Sequence, residues 1–242
     1  MIAYGEFIAR GELYDGYFEL EKGRIRIDGL EFSIDEVKFL PPVKPEKIVG
    51  VGLNYRDHAK ELKMEIPEEP VLFLKSPSSV IGDREFIVLP EKSERVDYEG
   101  ELAIVIGRKC RNADEESAAD YILGYTCFND VTARDLQQRG WQWSFAKSFD
   151  TFSPLGPYIS TSLNPKNLGI RTYLNGKLVQ NSNTSNLVFD VYKLVSYVSS
   201  ILTLKEGDVI ATGTPAGVGR LSRGDEIVVE IEGIGRLTNY VR

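Results

Sequence analysis

The stretch Asp97–Gly107 reads DYEGELAIVIG, and after a polar spacer Tyr125–Gln137 reads YTCFNDVTARDLQ. Glu99 and Glu101 stand two residues apart at the start of an apolar run, so the period-2 geometry of a strand turns both carboxylates to one face. Asp130 closes the second apolar run. With the two strands as neighbours, three carboxylates meet at one end of a sheet. Their repulsion has to be relieved by protons or a cation, and a divalent metal ion is the economical solution. The same spacing also fits a solvated strand rim with Asp130 opening a turn, and spacing alone leaves both readings open.

The available donors narrow the metal. The chain has one histidine, His58, and two cysteines, Cys110 and Cys127, which are not in a CxxC spacing. A zinc site of the His/Cys kind is therefore disfavoured. Three carboxylates, with the remaining positions left to water or substrate, suit Mg2+, Mn2+ or Ca2+.

Toward the N-terminus, Ile48–Leu53 (IVGVGL) predicts a buried strand, and Asn54 or Asp57 can start a helix running to about Met64. His58 and Glu61, three residues apart, share a face of that helix. Such a pair suits a general base with its orienting carboxylate, and it suits a solvated surface pair as well. Pro67 and Pro70 close the segment before the strand VLFLK, which ends at Lys75. A charged helix framed in this way suits a mobile lid. Residues 2–43 alternate in short strand-like runs with Gly16, Gly23 and Gly29 as turn candidates, and they stop at the proline-rich PPVKP. This predicts a small N-terminal β appendage over 1–43 and a main domain over 44–242.

Toward the C-terminus, a short helix is expected from Ala113 to about Ala119. Thr132–Gln138 is polar and offers Arg134 and Gln137 as substrate contacts, with Asp135 as the partner of a basic group. Trp141, Trp143 and Phe145 precede Lys147, placing a cation beside an aromatic wall. Pro154–Pro157 is expected to turn the chain into a strand near Tyr158, and Asn175-Gly176 predicts a type I′ hairpin. Thr184 to about Leu202 carries the apolar stripe of a long core helix, capped by Ser185 or Asn186. The run GTPAGVG lacks both the P-loop ending and the GxGxxG spacing. It reads as a tight turn whose backbone N–H groups and Thr214 hydroxyl can face a ligand oxygen.

Composition sets the outer bounds. At 242 residues and 42% hydrophobic, the chain can build a real core. A net charge of −7 with scattered basic residues gives no footprint for nucleic acid or an anionic membrane. The N-terminus shows no signal-peptide pattern, no apolar run approaches a membrane span, and two cysteines form no disulfide framework. The expectation is a soluble cytoplasmic protein.

Taken together, GLNYRDHAKE, FLKSPSSVIG, VDYEGELAIVIG, FNDVTARDLQQ, AKSFDTFSPLGP, LNGKLVQ, GDVIATGTPAGVG and GIGRLTNYV closely resemble the fumarylacetoacetate hydrolase family. The motifs follow the family's order from about Pro45 to Val241. The resemblance implies a mainly β fold with short helices (α+β), a mixed β-roll or β-sandwich, usually homodimeric. It implies that Glu99, Glu101 and Asp130 hold Mg2+ or Mn2+. It also implies that His58 and Glu61 form a catalytic dyad on a segment that closes over the substrate. Lys147 and Gln137 would stabilise substrate oxygens, Arg134 would support the site, Thr214 would bind the carboxylate end, and Lys75 is a further pocket candidate.

The chemistry implied is a metal-dependent hydrolase that cleaves an acylpyruvate to pyruvate and a carboxylic acid through a metal-bound enolate. The alternative is an isomerase or decarboxylase of 2-hydroxyhepta-2,4-diene-1,7-dioate, or an oxaloacetate decarboxylase or tautomerase, because these reactions share the same enolate half. A non-enzymatic binding protein is a third reading, disfavoured by the joint presence of every catalytic motif. The large eukaryotic hydrolase carries an additional N-terminal domain and a further carboxylate ligand with no matching motif here. That points away from fumarylacetoacetate and toward smaller 2-oxo acids.

Overall fold

The alternation in residues 2–43 becomes a meander of β1 (Ile2–Ala9), β2 (Glu12–Glu21), β3 (Arg24–Ile27) and β4 (Leu30–Ser33), followed by β5 (Lys38–Phe39). The computed structural model describes residues 1–140 and 142–242. Turns fall at Gly23 and Gly29, whereas Gly16 lies within β2. Next come β6 (Ile48–Gly52), α1 (Arg56–Leu62), β7 (Val71–Lys75), β8 (Val80–Ile81), β9 (Phe86–Ile87), β10 (Val96–Tyr98) and β11 (Gly100–Ile106). The middle of the chain forms β12 (Ile122–Asn129), β13 (Thr132–Ala133), α2 (Arg134–Gln137), α3 (Trp143–Lys147) and β14 (Ser153–Ser160). The remainder forms β15 (Gly169–Leu174), β16 (Lys177–Asn183), α4 (Val191–Ile201), β17 (Val209–Ala211), β18 (Gly219–Arg220), β19 (Glu226–Ile231) and β20 (Gly235–Val241).

The largest sheet runs β4-β3-β2-β1-β14-β12-β11-β17-β6-β7, with β5 on β1 and β8 on β14. A second runs β16-β15-β19-β20-β9, and a small third runs β13-β10-β18. This is the mainly β architecture with short helices that the sequence predicts. Residues 1–43 join the large sheet through β1, whose Ala3 pairs with Ser160 of β14. Phe7 and Phe18 pack edge to face at 5.6 Å, and Phe39 lies 5.3 Å from the Tyr158 ring of β14. Such contacts add about 0.5–1.5 kcal/mol each beyond the area they bury.

The acidic strand lies centrally. Leu102, Ile104 and Ile106 of β11 share one core with Ile170 and Val229 of the second sheet and with Leu194, Val195 and Val198 of α4. Ala103 and Val105, on the opposite face of β11, pack with Ile48, Val209 and Ala211. Burial on both faces explains the unbroken apolar run after Glu101. Each large aliphatic side chain there contributes about 1.5–3 kcal/mol of burial energy.

Several local expectations are revised. The long helix is shorter than predicted: Asp190, not Ser185 or Asn186, caps α4 by accepting from Tyr192 N and Lys193 N. Thr184–Asn186 makes a single 3-10 turn, and Phe189 lies in a bend outside the helix, its N–H and C=O bonded to the side chain of Asn54. No α-helix forms over Ala113–Ala119: Asp114 accepts from the N–H and hydroxyl of Ser117, and only a 3-10 turn at Ala118–Tyr121 overlaps the end of the range. A short side chain that bonds its own backbone competes with helix in this way. Pro154–Pro157 lies inside β14 rather than before it. Asn175 and Gly176 both take positive φ between β15 and β16, as a type I′ turn requires.

Candidate active site

The antiparallel register of β11 and β12 sets Gly100 opposite Asn129 and so brings the acidic residues together. Beyond the ladder, Asp130 donates its backbone N–H to Glu99 O at 2.8 Å, and the Glu99 N–H donates to Asn129 Oδ1 at 2.9 Å. One carboxylate oxygen from each of Glu99, Glu101 and Asp130 lies within 4.8 Å of the others. None of the three residues is more than 6% exposed. The solvated-rim alternative therefore does not describe them.

Cations from three elements face this cluster. Lys147 of α3 donates to Asp130 Oδ2 at 2.6 Å, Thr132 Oγ1 at 2.7 Å and Glu99 Oε2 at 3.0 Å. Lys75 of β7 takes the other Asp130 oxygen and also donates to Phe152 O at 2.7 Å. Arg134 of α2 pairs with Glu99 and, at 2.9 Å, with Asp97. Glu101 has no ion pair among the described residues; its Oε2 accepts the Gly213 N–H at 2.8 Å.

The electrostatics follow. Burial alone would raise the Glu99 carboxyl, but Lys147 and Arg134 outweigh it and hold the group down to about 2. Glu101 goes the other way: burial, then repulsion from Asp130 and Glu99, push it well above the ordinary range against the weaker pull of Lys147. The two lysines also diverge. Burial wins at Lys75 and lowers it, whereas at Lys147 Asp130 and Glu99 overcome burial and raise it. The cluster thus holds one carboxylate without a cationic partner beside two that have one, and every acidic donor is oxygen. This is a candidate metal-binding acidic cluster, and its donors fit a hard divalent cation.

Above the carboxylates opens a cavity of about 280 Å³ lined by His58, Arg134, Gln137, Lys147 and Thr214, among others. His58 Nδ1 lies 2.9 Å from Glu61 Oε2, and the Glu61 carboxylate accepts the Gly217 N–H at 3.1 Å. The histidine, its carboxylate and the glycine-rich turn are therefore one connected unit. Gln137 Oε1 accepts from Arg134 Nη1 at 2.6 Å, which leaves the amide nitrogen of Gln137 as its donor. The Thr214 hydroxyl donates to Gly100 O at 3.0 Å. Phe73 and Trp143 form the aromatic wall, 5.7 Å apart edge to face, with Lys147 Nζ 5.0 Å from the Phe73 ring. Trp141 lies outside the described residues.

Two expected contacts fall elsewhere. Lys75 does not line the cavity, because its ammonium is spent on Asp130 and on backbone carbonyls; it acts as a buried counter-ion. Asp135 meets Ser93 Oγ at 2.5 Å and Glu94 N at 3.3 Å, where a basic partner was expected. Residues that the sequence reading passed over hold the site together: Asn129 fixes Glu99, Thr132 Oγ1 accepts a hydrogen bond from Lys147, and Asp97 accepts from both Arg134 and Arg95. Their signal was available. Each is a polar side chain in or beside an apolar run, the position where a buried polar group demands partners.

The model of the fumarylacetoacetate (FAA) hydrolase C-terminal family matches residues 47–242. The chain belongs to the fumarylacetoacetate hydrolase family. Among solved members, 5-carboxymethyl-2-hydroxymuconate delta-isomerase from Mycobacterium smegmatis is 42% identical with a TM-score of 0.91, covering 99% of this chain and 98% of that one. The 2-hydroxyhepta-2,4-diene-1,7-dioate isomerase from Mycobacterium marinum is 38% identical with a TM-score of 0.90, covering 100% and 98%. Mitochondrial oxaloacetate tautomerase of Xenopus laevis is 43% identical over 251 residues, covering 98% of this chain and 77% of its own length. The likeness establishes the family's β-roll fold for this chain. Among the described residues, no helix is long and apolar enough to cross a membrane.

Proposed function

We propose that this chain is a divalent-cation-dependent isomerase or tautomerase of small 2-oxo dicarboxylic acids, interconverting their 2-hydroxy-enoate and 2-oxo forms, rather than an acylpyruvate hydrolase. The observation that carries the choice is the near full-length likeness of this chain to two isomerases and a tautomerase. Lys147, bonded to Glu99, Asp130 and Thr132, braces the acidic cluster in either reaction. Hydrolysis would add an activated water and a tetrahedral oxyanion to the enolate half that the reactions share.

Proton transfer needs less, and the remaining residues supply it. With Nδ1–H directed to the Glu61 carboxylate, His58 keeps Nε2 as its base, and the Gly217 N–H holds Glu61 in place. In the 2-oxo to enol direction His58 Nε2 takes a proton from C3 and hands it to the 2-oxo oxygen, and in the reverse direction it takes the enol O–H proton and delivers it to C3, so the reaction balances with no other reactant. When bound by Glu99, Glu101 and Asp130, Mg2+ or Mn2+ supplies Lewis-acid stabilisation of charge on the substrate's 2-oxo oxygen. Val51, Leu53, Phe73 and Trp143 give the cavity an apolar wall. Gln137 Nε2 is the donor left for a substrate oxygen.

The test pairs two reactions on metal-stripped protein with and without added Mn2+. Decay of the enol absorbance of oxaloacetate is followed beside release of pyruvate from acetylpyruvate. Cation-dependent enol decay without matching pyruvate is expected. Stoichiometric pyruvate from acetylpyruvate, at a higher kcat/KM than the tautomerisation, would return the chain to the hydrolases.

A further inference from the structure

The residue between the two glutamates is bonded in an unusual way. At Ala103–Val105, β11 pairs with β17 by backbone, but β17 ends at Ala211 and the chain turns off toward Gly213. From there side chains continue the ladder. Thr212 Oγ1 donates to Leu102 O at 2.9 Å, Gly213 N–H donates to Glu101 Oε2 at 2.8 Å, and Thr214 Oγ1 donates to Gly100 O at 3.0 Å. The Gly100 N–H goes to a third sheet neighbour, Gln180 Oε1, at 3.0 Å.

Gln180 comes from β16, in the other large sheet, and is 1% exposed. A register shift next to it leaves Val179 as the extra residue: Thr172 pairs with Gln180 and Tyr173 with Leu178. Bulges re-aim a side chain in this way. The Gln180 amide nitrogen donates to Thr214 Oγ1 and to Pro215 O, both at 2.9 Å. The orientation of the amide is unambiguous, because a backbone N–H can only donate and a carbonyl can only accept. The bonds close a ring: Gly100 N–H to Gln180, Gln180 to the Thr214 hydroxyl, and that hydroxyl back to Gly100 O.

We propose that Gln180 is a positioning residue whose amide, by closing this ring around Gly100, fixes the spacing between the Glu99–Glu101 strand and the Thr214 turn. It thereby sets both the cation affinity of the carboxylates and the placement of the substrate's carboxylate end. Gly100 is tightly enclosed where the ring closes: an added Cβ would lie 2.2 Å from Thr172 Oγ1 and 3.2 Å from Gln180 Oε1. It also spends the Thr214 hydroxyl proton on Gly100 O. The donor that Thr214, a cavity-lining residue, retains is then its backbone N–H, which has no acceptor among the described residues. The substrate half of this inference rests on the proposed function; the cation half does not.

The test uses Gln180→Met, which conserves volume and removes the amide, with Thr214→Val as a second opening of the same ring. Each folded variant is titrated with Mn2+ by calorimetry and then assayed at saturating Mn2+. Direct outer partners of metal ligands are worth about 10–100-fold in affinity; Gln180 acts one bond further out, through Gly100 and Thr214, so Mn2+ binding by Gln180→Met is expected to weaken by more than twofold and up to about tenfold. KM should rise at least about tenfold while kcat stays within about threefold, the signature of lost uniform binding. Thr214→Val should weaken Mn2+ in the same direction, and the double variant should be no worse than the poorer single one. A filler role would lower Tm and active fraction, cutting kcat with Mn2+ affinity and KM unchanged. Mn2+ affinity within twofold of wild type in Gln180→Met would overturn the inference. If Mn2+ binding weakens but the wild type shows no tautomerase activity, it is the proposed function that fails.

Discussion

Glu101→Gln separates the two forces acting on the acidic cluster. At 4.8 Å and an effective dielectric of about 20, two carboxylate charges repel by about 3.5 kcal/mol. Glu101 faces two such neighbours without an ion pair of its own, whereas Glu99 and Asp130 are held by Lys147, Lys75 and Arg134. Its charge therefore costs stability in the metal-free protein and returns it only when a cation is bound. Wild type at a hundredfold excess of metal over Kd should gain about 2.7 kcal/mol. For a chain of this length that is about 5–11 °C in Tm. The variant keeps the shape of the side chain and loses the charge, so its metal-free Tm should equal or exceed that of wild type. The metal-induced shift should fall below about 2 °C. Differential scanning fluorimetry across a Mg2+ or Mn2+ series, with an EDTA control, reads both quantities. A variant that keeps the full shift, or that melts several degrees lower without metal, would refute the reasoning.

Other expectations follow from single contacts. His58→Ala should reduce turnover by about 10²–10⁴ while leaving the metal-induced Tm shift intact; loss of the shift would show that the histidine supports the metal site instead. Gly50 lies opposite Phe73, and an added Cβ would sit 2.1 Å from its ring. Gly50→Ala should accordingly cost about 1–3 kcal/mol and disturb the cavity wall, whereas an unchanged Tm and KM would mean that the ring moves freely. Burial raises the Glu230 carboxyl, but hydrogen bonds from Arg236 and Arg171 outweigh it and lower the group overall. A depressed carboxyl contributes stability above its unfolded value and loses it as pH falls through the folded one. Glu230→Gln should cost up to about 1 kcal/mol near neutral pH, with the difference closing in strong acid; a gap that persists in urea melts in strong acid, below the folded value, would point to packing.

Much of the site was legible because it depends on local spacing and on one pairing. Period 2 placed Glu99 and Glu101 together, and the i,i+3 relation placed His58 against Glu61. What spacing could not supply was long-range competition for polar groups. Lys75 looks like any strand-end lysine until Asp130 and Phe152 O are seen to claim it. Gln180 sits in an ordinary hairpin until the extra residue Val179 turns it onto Gly100. The boundaries of α4 were hidden for the same reason, since Asn54, far away in sequence, holds Phe189 out of the helix.

The pairing of Ala3 with Ser160 has a consequence for synthesis. At about 5–20 residues per second, the first strand leaves the ribosome roughly 8–30 s before its partner exists. During that interval β1–β4 can form their local hairpins, but Phe18 and Phe39 lack the Tyr158 ring that they pack against in the finished fold. Nascent chains stalled before β14 should bind a hydrophobic dye or a holdase, and chains extended past Ser160 should release it. The opening meander is thus a waiting surface, and the middle of the chain, not its end, determines when that surface closes.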